Sequence, residues 1–159
     1  MSIITPEIEY VDRSMESIRY LEHGWPSDLC RWHSHREFEL HLIVATRGKA
    51  FVGDYIGEFR PGSLFLTGPY LPHNWVTDEI TSRHVSTRDM LVQFDQESVN
   101  SLSLAFPEFD DMRPMFELAC SGIEFNGFDA KLVHRRLAEI RDSSGPSRIL
   151  AFLQLLVEI

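Results

Sequence analysis

Lysine is nearly missing from this chain. Lys49 and Lys131 are the only two in 159 residues, and the formal net charge is −9. Such a chain lacks the cation density that phosphate neutralisation demands. Its arginines are scattered, and the densest pair, Arg135-Arg136, stands near Glu139 and Asp142, as on a solvated helix surface. Duplex DNA is therefore not an expected partner of these residues alone. Cysteine is scarce as well: Cys30 and Cys120 form no C-x-x-C pair, which excludes a disulfide scaffold and a zinc knuckle. Cys120, among apolar residues of a helical stretch, reads as a buried thiol. No apolar run approaches the roughly 20 residues that span a bilayer, and the opening MSIITPEIEYVDRS has no basic stretch followed by an apolar one. A cytoplasmic protein without a membrane partner is expected. There is also no G-x-S-x-G elbow, no Cys set beside a His in a motif and no glycine-rich phosphate loop, so any enzyme built on this chain would have to use a metal.

What is present belongs to a folded domain, with 43% hydrophobic and 25% charged residues and a length that suits one core plus a helical appendage. Residues 1–17 read as an N-terminal arm without sustained periodicity. From residue 18 to 94 the period is 2, with strands expected at Ile18–Glu22, Glu37–Val44, Lys49–Val52, Tyr55–Phe59, Ser63–Thr67, Asn74–Thr77 and Arg88–Phe94. Gly24-Trp25-Pro26 reads as a break, Thr46-Arg47-Gly48 as a turn, and Gly53-Asp54 and Pro61-Gly62 as tight turns. Short strands at near-regular spacing argue for an antiparallel sandwich or barrel. From residue 95 to 159 the period becomes 3.6, with helices expected over Gln96–Ala105, Pro114–Ser121, Asp129–Arg141 and Pro146–Ile159.

The chemistry concentrates in two segments. His33, His35 and Glu39 can share one face of a strand running through Glu37–Val44, and His73, alternating with Trp75 after Pro72, supplies a fourth donor from a later strand. Neutral imidazole is a common metal ligand, and three histidines with one carboxylate suit Zn, Mn, Fe or Ni, with ligand type not choosing among them. His41, Tyr55, Trp75 and Arg88 are candidates for contacts to an organic ligand. For Arg88 a surface ion pair with Asp89 or a cross-strand acid is the plainer role, and for Trp75 it is core packing. The plain alternative for the whole lane is the solvent side of a half-buried strand, since Phe38, Leu40, Leu42 and Val44 make the opposite face apolar.

The pattern H-x-H-x3-E, then Pro61-Gly62, then Pro72-His73 resembles the two motifs of the cupin barrel, although the next glycine after Glu39 is Gly48, later than the usual cupin spacing. The continuous stretch WHSHREFELHLIVATRGKAFVGDYIGEFRPGSLFLTGPYLPHNW, Trp32 to Trp75, is closer to the N-terminal sensor domain of AraC-family bacterial transcription regulators. That resemblance implies a cupin-like antiparallel β-barrel, or double-stranded β-helix, followed by helices. It implies an unknown small-molecule effector or a divalent metal in the barrel, with His33, His35, Glu39 and His73 as the metal set. It also implies a dimerisation helix, and DNA contact through a helix-turn-helix domain absent from this chain. A stand-alone metal-dependent cupin dioxygenase or isomerase is the alternative.

The final helical stretch supports the dimer. Leu150, Leu153 and Val157 form one row, and Ile149, Phe152, Leu156 and Ile159 form a second beside it. One row can face the domain and the other a second copy of the chain, giving a homodimer.

Overall fold

A computed structural model of the chain describes residues 5–10, 16–28, 31–78 and 84–159; Cys30 lies outside the described residues. Two five-stranded sheets form the body. The strands are β1 (Glu7–Ile8), β2 (Ile18–Trp25), β3 (His33–Ser34), β4 (Phe38–Ile43), β5 (Gly48–Val52), β6 (Tyr55–Phe59), β7 (Leu64–Thr67), β8 (His73–Thr77), β9 (Val85–Phe94) and β10 (Ile123–Glu124). One sheet runs β1-β3-β8-β5-β6 and the other β10-β7-β4-β9-β2. Apart from the β5–β6 hairpin, the antiparallel pairs join strands distant in sequence: β2 with β9, β4 with both β7 and β9, β5 with β8, β3 with β8, and β7 with β10. That connectivity is the double-sheet jelly roll of cupin-like proteins, so the fold is mainly β, a double-stranded β-helix followed by helices.

Strand boundaries differ from the sequence reading where pairing overrides local signals. β2 continues through Gly24 to Trp25, where a break was expected, because β9 supplies partners as far as Trp25↔Val85, with a register shift between His23 and Trp25. β9 likewise begins three residues earlier than expected. The arm is not featureless: Glu7–Ile8 pairs in parallel with β3, Glu7 opposite His33. Strands β1, β3 and β10 have two residues each, too few for any periodicity to show.

The helices are α1 (Gln96–Ala105), α2 (Arg113–Ala119), α3 (Ala130–Asp142) and α4 (Gly145–Glu158), with a 3₁₀ turn over Pro107–Met112. Asp95 and Asp129 accept hydrogen bonds from backbone N–H groups of the first turns of α1 and α3, which fixes those starts. Gly122, at φ +85°, redirects the chain after α2, as expected of a glycine stop. Cys120 is exposed, not buried: Phe116 and Ala119 are the inward residues of α2, and Cys120 falls just past the helix on the outer side.

Two cores result, separated by the second sheet. On its outer face Phe38, Leu40, Leu42, Leu64, Leu66, Met90, Val92 and Phe94 pack against Val133, Leu137 and Ile140 of α3 and Phe152, Leu155 and Leu156 of α4. Each such side chain contributes about 1.5–3 kcal/mol on burial. Inside the barrel Ile43, Ala50, Val52, Phe59, Phe65 and Trp75 form a smaller apolar cluster. β4 is buried along its whole length, so Glu39 and His41 face the barrel interior, not solvent.

Candidate metal centre

Pairing places the donors. His33 on β3 stands opposite His73 on β8, Glu39 projects inward from β4, and His35 comes from the link between β3 and β4. The set therefore converges from separate elements; the single strand expected to carry His33, His35 and Glu39 together is broken between Ser34 and Phe38. One potential ligand atom from each of His33, His35, Glu39 and His73 lies within 4.8 Å of all the others. Imidazole centroids are 4.4 Å apart for His33–His73 and 5.1 Å for His35–His73.

Each histidine is held by its far nitrogen. Nδ1 of His33 is 2.8 Å from the Arg31 carbonyl oxygen, Nδ1 of His73 is 2.8 Å from that of Leu71, and Nδ1 of His35 is 3.2 Å from that of Glu37. A carbonyl oxygen only accepts, so Nδ1 carries hydrogen in all three rings and Nε2 faces the centre. Metal-binding histidines are oriented in this manner. The His73 Nε2 is buried with no hydrogen-bond partner among the described residues, an omission that costs free energy unless a cation meets the lone pair.

The charge states suit a cation too. Burial, reinforced by the neighbouring His73, lowers the His33 pKa and keeps that ring in its ligand form. For Glu39, burial opposes ionisation but is outweighed by hydrogen bonds from His35 and His41 and by the nearby His73 ring, 3.6 Å away, which hold the carboxyl well below its ordinary value. For His35, burial is outweighed by the hydrogen bond to Glu39, so its pKa rises; its Nε2 lies 3.1 Å from Glu39 Oε2, where a metal ion would take the proton's place. Three imidazoles and one carboxylate thus fit a divalent ion of the borderline class.

A second layer holds Glu39. His41 Nδ1 donates to Glu39 Oε1 at 2.8 Å, and Gln93 Nε2 donates to Oε2 at 3.0 Å; Gln93 is the β9 partner of Glu39 in register. His41 Nε2 lies 3.3 Å from Asp89 Oδ2, and the His41 ring stacks on Trp75. Burial disfavours a charged His41, yet the Asp89 and Glu39 carboxylates on its two sides raise its pKa to about 9. Asp89 also meets His23 Nδ1 at 2.9 Å and Arg88 Nε at 2.7 Å, while Arg88 Nη1 donates to the Trp75 carbonyl. The Arg88–Asp89 pair is therefore buried, not the surface pair expected.

Of the residues expected to touch an organic ligand, His41 and Arg88 surround the centre but direct polar groups to Glu39, Asp89 and the Trp75 carbonyl, whereas the Trp75 Nε1 is buried without a hydrogen-bond partner among the described residues. Tyr55 does not reach the centre: it is 45% exposed and donates to Glu124 Oε2. Sequence reading missed His23, Asp89 and Gln93, whose inward facing depends on the β9 register. It also missed Glu37, wholly buried with neither carboxylate oxygen hydrogen-bonded among the described residues, and Glu9, whose carboxylate is 3.7 Å from His33 Nε2. The cavity beside the centre, bounded by Glu9, His23, His33, Glu39, His41 and Trp75, measures about 40 Å³.

In α4, Phe152 and Leu156, expected in the dimer row, lie in the chain's own core, and Ile149 packs partly against it. They close the α4–sheet contact. Leu150 and Val157 are 68% and 71% exposed, whereas Leu153, like Ile149, is half-buried and packs against the core.

The fold and the cluster together define a cupin-like barrel with a three-histidine, one-carboxylate site of metal-binding geometry. No family model matches the sequence, and no curated protein matches it. Among solved structures, ToxT from Vibrio cholerae O395 bound to (E)-4-(8-methylnaphthalen-1-yl)but-3-enoic acid aligns at 9% identity and a TM-score of 0.48, over 88% of this chain and 54% of that one. Streptomyces albus HEPD with 2-hydroxyethylphosphonate and Fe(II) bound aligns at 11% identity and a TM-score of 0.39, over 90% of this chain and 39% of that one. The chain thus spans about half of the first and two-fifths of the second. No helix among the described residues is long and apolar enough to cross a membrane.

Proposed function

We propose that this chain is a sensor domain in which one divalent transition-metal ion is held by His33, His35, Glu39 and His73, serving as the effector-sensing, dimerising part of an AraC-type transcription regulator. The observation that carries the metal is the latching of three Nδ1 atoms to backbone carbonyls, which turns three Nε2 atoms toward one carboxylate. Sensing is favoured over turnover because the cavity beside the centre, at about 40 Å³, holds water but not an organic substrate, for which pockets run to roughly 300–1,000 Å³. The outward row of α4 offers a surface for a second copy. Duplex DNA would be contacted by residues other than these, since the chain carries a net charge of −9.

Elemental analysis of protein purified without chelator should find one divalent ion per chain, lost in a His33→Ala/His73→Ala double variant. Metal retained by that variant would remove these ligands from the assignment. The regulatory half is decided by the coding sequence downstream of Ile159. A basic, doubled helix-turn-helix pattern is expected there, and a different continuation would transfer the metal site to a cupin enzyme.

A further inference from the structure

A second cavity, of about 200 Å³, lies where the two sheets part, lined by Val52, Tyr55, Phe65, Thr67 and residues 121–124. Its walls come from β5, β6 and β7 on one side and from the α2–β10 connection and β10 on the other. β6 ends one sheet and β10 ends the other, so this is an opening from outside toward the barrel's apolar cluster, to which Val52 and Phe65 belong.

Three features make it a shaped site. Thr67 is wholly buried, and its Oγ1 has no hydrogen-bond partner among the described residues, although a buried hydroxyl ordinarily has one. Gly122 forms the outer wall so tightly that a Cβ there would meet Val52 Cγ1 at 2.6 Å. Tyr55 lies across Gly57, where a Cβ would meet its hydroxyl at 2.0 Å, and from there it reaches Glu124 at 3.3 Å, bridging the two sheet edges at the rim.

We propose that this cavity binds a small uncharged aromatic alcohol, a phenol-class molecule, with the ring against Val52 and Phe65 and the hydroxyl bonded to Thr67 Oγ1. Size sets the class, since an apolar cavity of about 150 Å³ takes benzene and this one is larger by about a substituent. Val52, Phe65 and Ile123 give apolar walls, Ser121 and Glu124 stand exposed at the rim, and the inner polar group is the Thr67 hydroxyl. The Glu124 carboxylate at the rim works against an acid. An occupant would also be felt at the metal centre: Phe65 packs edge-on to Trp75 at 5.7 Å, Trp75 stacks on His41, and Thr67 is the cross-strand neighbour of Glu39.

This inference goes beyond the metal assignment and is tested apart from it, by calorimetric titration of chelator-treated full chain with phenol, benzylamine and benzoate. Phenol should bind saturably and more tightly than either charged ring. Thr67→Val, which keeps the shape and removes the hydroxyl, should weaken phenol about tenfold, the worth of one hydrogen bond. Glu124→Gln should raise benzoate affinity, and Val52→Phe should fill the cavity and abolish phenol binding. Should Val52→Phe fail to fold, Thr67→Val decides. No saturable phenol binding, a charged ring binding as tightly as phenol, or phenol affinity unchanged in Thr67→Val would overturn the proposal. Metal content plays no part in these outcomes, so the metal reading can fail while this one stands.

Discussion

His41 stacks on Trp75 with ring centroids 4.3 Å apart and planes within 4° of parallel. The contact braces an imidazole that stands outside the four-residue cluster, and that imidazole in turn holds Glu39 by a 2.8 Å hydrogen bond. A cationic ring over an indole face, shielded from water, is stabilised by up to about 2 kcal/mol.

Outer partners of metal ligands are worth about 10–100-fold in affinity, and His41→Ala should weaken metal binding by that much in a competition titration. His41→Gln, which retains a donor, should recover part of the loss. Trp75→Leu should cost less than about tenfold, since the donor survives without its brace. Wild-type affinity in His41→Ala would show that Glu39 does not depend on this bond.

Acid should weaken the fold through Asp89. Burial works against its charge, but His41, His23 and Arg88 outweigh it and hold the carboxyl far below its ordinary value of 3.8. A group whose folded pKa is depressed contributes fully above its unfolded pKa and loses that contribution as pH falls below it. Asp89→Asn should therefore cost about 3 kcal/mol at pH 7, the penalty for opening a buried pair, with the gap to wild type narrowing below about pH 4. Urea midpoints at pH 7 and pH 3 measure this, and an equal gap at both would mean that the charge of Asp89 is not what stabilises.

On α4 the two rows should answer differently. Leu150→Glu or Val157→Glu, at exposed positions, should give a folded monomer by light scattering with unchanged circular dichroism, because an uncompensated charge is costly in a seam and harmless at a surface. Phe152→Ala should instead lower stability by about 3–5 kcal/mol. A wild-type chain that is monomeric at tens of micromolar would remove the seam altogether.

Much of this was legible in the sequence because alternation and turn chemistry are local. Tyr55–Phe59 and Gln96–Ala105 have the expected bounds, and His73 and Trp75 share the expected inward side. What was not legible depends on register between distant strands. That Gln93 meets Glu39, that Asp89 lies beside His41 and that His33 stands opposite His73 follow from pairings about 40 to 55 positions apart, which no window along one segment contains. Tyr55 shows the converse: its strand was read correctly, but its destination was set by Gly57 beneath it and Glu124 across the rim, and neither carries a signal for it.

β4 serves as a partition wall with a different tenant on each side: Phe38, Leu40 and Leu42 belong to the helices, Glu39 and His41 to the chamber of the His/Glu cluster. Slippage by a single residue would exchange the carboxylate for a leucine and drive it into hydrocarbon. A one-residue slip of this strand is therefore penalised on both faces at once, so the register that seats the carboxylate in the chamber is the same one that seats the leucines against α3 and α4.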